Sequence, residues 1–109
     1  MAELDRQAPA EVVIGTRTDQ EGSPVVSLVG ELDSSNAHLL AATISTITAE
    51  HPSRVVFELA GLRFMDSAGL AILVRTAADV ETVELREPSR IVRRLLELTG
   101  LTSILRIAS

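Results

Sequence analysis

Residues 64–70, FMDSAGL, decide the fold of this chain, because they join two apolar runs of different periodicity. The run before them, residues 54–59 (RVVFEL), is short and rich in β-branched side chains, which is typical of a strand buried on both faces. Residues 61–63 are predicted to form a turn or link after that strand. The motif thus predicts a strand that leads into a helix, whose apolar side chains recur at helical spacing: Leu70, Leu73, Val74 and Ala77.

Ser67 is the residue of this motif that is best placed for chemistry. It is predicted to lie at the N-terminus of the helix, where backbone N–H groups lack partners and the helix carries a partial positive charge. An anion attached to the serine hydroxyl would be accepted there with little local strain. Ser67 is therefore a candidate phosphorylation switch, and the alternative is that it only caps its helix.

Four further segments are predicted to be strands. Residues 12–14 and 25–29 form a hairpin across a segment rich in turn residues, and residues 82–85 and 103–107 follow later in the chain. With three helices between them, the predicted order is β-β-α-β-α-β-α-β. Strands that alternate with single helices imply right-handed crossovers, so we predict an α/β fold with a mixed, mostly parallel sheet.

The other two helices are marked by their end signals. One follows a loop at residues 30–36, in which Asp33 or Ser34 is predicted to be the N-cap. The last helix begins at residues 88–89, a Pro-Ser pair, and ends at Gly100, which suits a left-handed C-cap. Its side chains that are predicted to face the core are Ile91, Leu95 and Leu98.

The composition indicates one domain without membrane or nucleic-acid affinity. A chain of 109 residues with 46% hydrophobic content can bury a single core, so we predict one domain at residues 11–109 after a flexible N-terminus at residues 1–10. The formal net charge of -5 argues against binding to nucleic acid or to anionic lipid, which needs clustered positive charge. Because the sequence lacks an export signal, a membrane span and cysteine, a cytoplasmic location is predicted.

Several kinds of catalytic and cofactor sites are excluded by the residues present. All 10 basic residues counted as Lys+Arg are Arg, so there is no P-loop lysine and no Schiff base. His38 and His51 are isolated from each other, so no metal site is predicted. Met65 stands where the nucleophile turn of a hydrolase requires glycine, and no histidine follows Ser67. We therefore predict a protein that is not an enzyme and holds no cofactor or metal.

Two loops are predicted to form the functional site. One spans residues 30–36 and carries Glu31 and Asp33, and the other spans residues 63–69 and carries Asp66 and Ser67. Sites in open α/β sheets form where loops leave the carboxyl ends of strands. If the strands before these loops are parallel neighbours, the two loops meet.

Three segments carry a resemblance to a known family: residues 30–33 (GELD), residues 64–70 (FMDSAGL) and residues 88–101, which end in LTGL. Together they resemble the bacterial anti-sigma factor antagonists of the STAS group. The resemblance extends over about the whole chain from the first strand to the last, and it implies a single STAS-like domain. It also implies that Ser67, directly after the aspartate, is phosphorylated by a partner that is both anti-sigma factor and kinase. The unphosphorylated form then binds that partner and frees a sigma factor, until phosphorylation ends the binding and a phosphatase restores it.

The resemblance and the two loops together define a predicted partner-binding set. The partners implied are the anti-sigma factor kinase and the phosphatase, with no direct contact to nucleic acid or membrane. Relatives commonly carry a second Ser or Thr where this chain has Ala68, which leaves Ser67 as the acceptor. The set consists of Glu31, Asp33, Ser34, Met65, Asp66, Ser67, Ala68 and Gly69.

Two further expectations follow from the resemblance. Relatives usually add a helix after the last strand, and this chain stops at Ser109, so weak self-association through a less covered face is expected. A STAS module can also serve a non-sigma system, as a lipid-transport accessory or a stressosome-like scaffold, because fold does not fix function. This interaction module is the alternative to the anti-sigma factor antagonist.

Overall fold

The computed structural model describes residues 10–108 of the chain as one five-stranded sheet in the order β1-β2-β3-β4-β5. The first two strands pair antiparallel and every later pair is parallel, so the predicted mixed, mostly parallel sheet is confirmed. The predicted flexible segment, residues 1–10, lies outside the described residues except for residue 10. The strands are β1 (Val12–Thr18), β2 (Pro24–Leu32), β3 (Arg54–Met65), β4 (Thr82–Arg86) and β5 (Arg106–Ala108).

Three helices connect the parallel strands in the predicted order. They are α1 (Ala37–Thr48), α2 (Ser67–Asp79) and α3 (Arg90–Leu98), and a 3-10 turn at Leu101–Ser103 precedes the last strand. Each crossover moves one strand further in the same direction, and right-handed crossovers of this kind place their helices on one face of the sheet. None of the helices described between residues 10 and 108 has the length and apolarity needed to cross a membrane.

The helices and one face of the sheet bury a single aliphatic core. Alternate side chains of the inner strands point into it, and the other alternate set lies on a face that no helix of residues 10–108 covers. We call this second face the open face. The largest fully buried side chains include Phe57, Leu28, Leu40, Leu59, Leu73, Leu85 and Leu96.

β3 runs to Met65, so the predicted end of this strand at residue 59 and the predicted turn at residues 61–63 are wrong. The pairing with β2 shifts by one residue between Ser27 and Val29, and by one more between Gly30 and Glu31. Each shift is a β-bulge that inserts one extra residue into β3. The buried side chains after Leu59 are consequently three residues apart instead of two, which the sequence pattern did not show as a strand.

The orientation of α3 also differs from the prediction. Ile91 and Leu98 are exposed, and the buried residues are Val92 and Leu96. Of the three residues predicted to face the core, only Leu95 packs against it, and it is partly buried. The helix start is as predicted, because the Ser89 Oγ accepts a hydrogen bond of 3.2 Å from the N–H of Val92. Apolar side chains stand on two overlapping faces of this helix. The face that packs on the sheet is the one that carries Val92 and Leu96.

Two further helix and strand details depart from the prediction. Val74 is exposed on α2, where Ile72 and Thr76 take part in the buried face instead. The last strand begins at Arg106 and not at residue 103, because residues 101–103 form the 3-10 turn. Gly100 has the predicted left-handed conformation, with a φ of 74°.

One half of the open face carries a layer of ion pairs. Arg17 donates two hydrogen bonds to the Glu58 carboxylate, at 2.8 and 2.5 Å. Glu84 accepts from Arg54 through one oxygen and from Arg86 through the other, each at 2.7 Å, and these bonds hold the pKa of Glu84 below its ordinary value. The ion-pair layer consists of Arg17, Arg54, Glu58, Glu84 and Arg86. It joins β1, β3 and β4 on the half of the open face that lies near the turn between β1 and β2.

Candidate functional site

The parallel pairing of β2 with β3 brings the two predicted loops together. Leu32 and Met65, the last residues of these strands, are partners in the register. The N–H of Asp66 donates a hydrogen bond of 3.1 Å to the carbonyl oxygen of Leu32. The loop at residues 33–36 and the start of α2, which follows β3 through Asp66 alone, therefore leave the same edge of the sheet side by side.

Asp66 is the N-cap of α2, and Ser67 is the first residue of that helix. The Asp66 Oδ1 accepts hydrogen bonds from the N–H groups of Ala68 and Gly69, at 2.8 and 3.4 Å. Ser67 is exposed, and its hydroxyl takes part in none of the hydrogen bonds found among residues 10–108. The capping role that was the alternative for Ser67 is thus held by Asp66, which leaves the serine hydroxyl open to solvent.

Asp33 forms a turn within its own loop. Its Oδ1 accepts hydrogen bonds from the Oγ and the backbone N–H of Ser35, at 2.6 and 2.8 Å. The hydroxyl of Ser35 is the main cause that keeps the pKa of Asp33 below its ordinary value, so this carboxylate stays ionised to a lower pH than an ordinary aspartate. The predicted N-cap at Asp33 or Ser34 is wrong, because Asn36 occupies that position and α1 has no side-chain cap.

Asn36 holds the first loop in place, a role that the sequence analysis did not identify. Its buried side chain donates to the carbonyl oxygens of Ala10 and Glu31, at 3.2 and 2.9 Å. Its Oδ1 accepts a hydrogen bond of 3.0 Å from the N–H of Asp33. An asparagine directly before a helix was the available signal, but nothing in the sequence shows that residue 10 approaches it.

Gly30 fixes the backbone next to Glu31. It has a φ of 113°, which is strained for any residue with a side chain, and a Cβ there would lie 2.2 Å from the carbonyl oxygen of Glu11. The N–H of Glu31 donates a hydrogen bond of 2.9 Å to that same oxygen. Glu31 is half-buried and lies 3.6 Å from Arg63, measured between a carboxylate oxygen and a guanidinium nitrogen.

Two members of the predicted partner-binding set lie in the interior. Met65 is 1% exposed and Gly69 is buried. A Cβ on Gly69 would lie 2.6 Å from the Met65 Cγ and 2.7 Å from a Leu32 methyl carbon, so the start of α2 packs closely on the ends of β2 and β3. Because both residues are buried, they support the start of α2 and are not accessible to a partner. The accessible members of the set are Glu31, Asp33, Ser34, Asp66, Ser67 and Ala68.

The accessible residues form a small acidic rim beside the exposed hydroxyl of Ser67. Glu31, Asp33 and Asp66 each contribute a carboxylate, and Arg63 is the cation next to them. In the part of the chain from residue 10 to residue 108, no group of three or more His, Cys, Asp or Glu side chains is arranged to hold a metal ion. Negative charge at this position favours contact with positively charged groups.

Comparisons with known proteins agree with this architecture. A family model described as "Mlab, STAS domain" matches residues 16–106. The anti-sigma-F factor antagonist RsfB of Mycobacterium tuberculosis is 31% identical over 105 residues, which cover 94% of this chain and 85% of RsfB. The crystal structure of an anti-sigma factor antagonist from Mycobacterium paratuberculosis has a TM-score of 0.83 at 29% identity, covering 92% of this chain and 87% of that one. SpoIIAA in its unphosphorylated form shares the fold, with a TM-score of 0.76 at 24% identity and 89% of each chain covered.

Proposed function

The chain belongs to the STAS domain family of anti-sigma factor antagonists, and from this premise we propose that its unphosphorylated form binds an anti-sigma factor that is also a serine kinase. Binding releases a sigma factor, and phosphorylation of Ser67 by the bound kinase ends the binding. A phosphatase restores the serine and with it the affinity. The phosphoryl transfer is the work of the partner, so the proposal assigns no catalytic residue to this chain.

The observation that carries the proposal is the free hydroxyl of Ser67. It stands exposed at the first position of α2, and Asp66 holds the helix cap beside it. A kinase can therefore take this hydroxyl without first breaking a hydrogen bond of the fold. The backbone directly before the serine is held to the end of β2 by the hydrogen bond from the N–H of Asp66 to the carbonyl oxygen of Leu32.

The charges around Ser67 explain how a phosphate would switch the affinity. A phosphoserine adds about −1.5 to −2 charges at pH 7. The Asp66 carboxylate already accepts hydrogen bonds from the N–H groups of Ala68 and Gly69, so a phosphate on Ser67 meets a like charge at the start of the helix. Asp33, held ionised by its own turn, lies in the neighbouring loop. The phosphate therefore deepens the acidic rim, and a partner surface shaped for a neutral hydroxyl is repelled.

The repulsion needs no change of fold to be effective. Like charges placed against each other at an interface cost several kcal/mol, and about 1.4 kcal/mol corresponds to a tenfold change in affinity. We expect the phosphorylated chain to bind the anti-sigma factor at least about a hundredfold more weakly than the unmodified chain.

Incubation with a purified anti-sigma factor kinase of the same organism and ATP tests the proposal. We expect mass spectrometry to find one phosphate on the wild type and none on Ser67→Ala. Ser45→Ala, which removes an exposed serine from α1, is the matched control and should be labelled like the wild type. Equal labelling of Ser67→Ala would show that another residue is the acceptor.

Calorimetry on the same proteins tests the binding step. The unmodified chain and Ser67→Ala should bind the anti-sigma factor with affinities within a few-fold of each other. The phosphorylated chain should bind at least about a hundredfold more weakly than the unmodified chain. If the unmodified chain binds no anti-sigma factor, the alternative of a STAS interaction module in a non-sigma system takes precedence. If the phosphorylated chain binds as tightly as the unmodified one, charge repulsion is not the switch.

A further inference from the structure

The open face of the sheet is divided into two halves of different chemistry. The ion-pair layer covers the half near the turn between β1 and β2. The other half, at the carboxyl ends of β2 and β3, shows apolar side chains to solvent. Val13 is 67% exposed, Val29 is 49% exposed and Phe64 is 44% exposed.

These residues are neighbours on the open face, according to the register of β1, β2 and β3. Val13 is paired with Val29 across β1 and β2, and Val29 is paired with Gly61 across β2 and β3. A Cβ on Gly61 would lie 2.9 Å from a methyl carbon of Val29, so the valine leans over the glycine. Phe64 follows on the same face of β3, because the next residue, Met65, points into the core. We call Val13, Val29, Gly61 and Phe64 the apolar patch.

The apolar patch is continuous with the site around Ser67. Phe64 is paired with Glu31 in the register and stands three residues before Ser67. Carboxylates border the patch and the loops on this side, and Arg63 is the one cation that the structure places against them among residues 10–108. The bordering carboxylates belong to Glu11, Glu31, Asp33 and Asp66.

From this arrangement we propose that the apolar patch and the two loops form a single docking surface for the anti-sigma factor. The inference rests on the proposed function and adds the part of the sheet that supplies the contact area. An exposed apolar area with a polar rim is typical of a protein interaction site, and the negative rim calls for a partner whose apolar centre is surrounded by Arg or Lys. The apolar patch contributes to affinity whether or not Ser67 is phosphorylated. The charge of the rim, which phosphorylation increases, determines whether the partner can approach the patch.

Three substitutions test the patch with little change to the fold. Val13→Thr and Val29→Thr keep a β-branched side chain in the strand and replace one methyl group by a hydroxyl. Phe64→Ala removes the ring from an exposed position. Leu98→Ala is the matched control, because Leu98 is 68% exposed at the far end of α3 and outside the patch.

Affinity for the purified anti-sigma factor is measured by calorimetry on each variant. We expect Phe64→Ala to weaken binding about tenfold or more, and each Val→Thr change about threefold, whereas Leu98→Ala stays within twofold of the wild type. Circular dichroism identifies any variant that does not fold. Should Phe64→Ala fail to fold, the two Val→Thr variants decide the question on their own.

The outcomes separate the failure of this inference from the failure of the proposed function. If the wild type binds and all patch variants bind like Leu98→Ala, the docking surface is overturned while the proposed function stands. If the wild type does not bind an anti-sigma factor at all, both are overturned. If the chain self-associates in analytical ultracentrifugation and the patch variants abolish that association alone, the occupant is a second copy of this chain and the inference is wrong.

Discussion

Substitution of Gly69 by alanine tests whether the start of α2 is packed as closely on the strand ends as the structure has it. A methyl group at this position would lie 2.6 Å from the Met65 Cγ and 2.7 Å from a Leu32 methyl carbon. Both distances are far shorter than a van der Waals contact between carbon atoms, which is about 3.5–4.0 Å. Leu32 and Met65 are themselves fully buried, so neither can move aside without disturbing the core.

Two opposed terms set the size of the effect. Alanine is more favourable than glycine in a helix by up to about 1 kcal/mol. An extra methyl group in a well-packed core costs about 1–3 kcal/mol, and two displaced side chains place Gly69→Ala in the upper part of that range. We therefore expect a net loss of about 1–2 kcal/mol in the free energy of unfolding. With an m-value of about 1.5 kcal/mol per M, the midpoint of urea unfolding falls by about 1 M.

The matched control is Ala71→Gly, at an exposed position of the same helix. It removes a methyl group that touches no core residue, so it measures the helix term alone, with an expected loss of about 1 kcal/mol. If Gly69→Ala instead raises the urea midpoint by the amount that Ala71→Gly lowers it, the added methyl group meets no resistance. The close packing beneath Ser67 would then be refuted.

Two more perturbations address the first loop and the ion-pair layer. Asn36→Ala removes three hydrogen bonds from partly buried backbone groups, so urea titration should show a loss of about 2–3 kcal/mol in the free energy of unfolding; a loss below about 0.5 kcal/mol would contradict the role of this side chain. Glu84 has a lowered pKa, caused first by its hydrogen bond from Arg54, so the unfolded state binds more protons than the folded state. Its stabilisation is complete above the ordinary carboxyl pKa of about 4 and is lost as the pH falls through the lower folded value. Glu84→Gln should therefore flatten the loss of stability in acid, and an unchanged pH profile would contradict this contribution.

The order of elements could be predicted because periodicity changes cleanly along this chain. Short β-branched runs alternate with helical spacing, and end signals such as Ser89 and Gly100 mark where helices begin and end. The orientation of α3 could not be predicted in the same way. Apolar residues stand at positions 91, 95 and 98 and also at 92 and 96, and only contact with the sheet shows that the buried side chains are Val92 and Leu96, with Leu95 partly buried beside them.

The length of β3 shows a second limit of the sequence pattern. A β-bulge changes the spacing of buried residues from two to three, as from Leu59 to Leu62 and on to Met65. This spacing is close to that of a helix or a break, so a strand with two bulges loses its signature. The same extension brings Asp66 and Ser67 to the edge of the sheet, next to the end of β2.

The residues that hold the site were harder to predict than the residues that form its surface. Ser67 and Asp66 were recognisable from a local motif, whereas Asn36 works through a contact with Ala10, 26 residues away. Gly69 was predicted to belong to the partner-binding set. Its buried position and its short distances to Leu32 and Met65 show that it allows close packing instead.

The exposed serine and the residues that hold its surroundings are different residues, and this explains why a charge alone could act as the proposed switch. The serine hydroxyl makes no hydrogen bond within the described residues, so adding a phosphate would break no contact of the fold. Asp66 holds the helix amides, and Asn36 and the buried strand ends fix both loops, so the site cannot easily rearrange to neutralise the new charge. A rigid site transmits the full change in charge to the partner, whereas a flexible one would absorb part of it by local movement. A variant that loosens the support, such as Asn36→Ala, should therefore reduce the difference in affinity between the phosphorylated and unmodified forms.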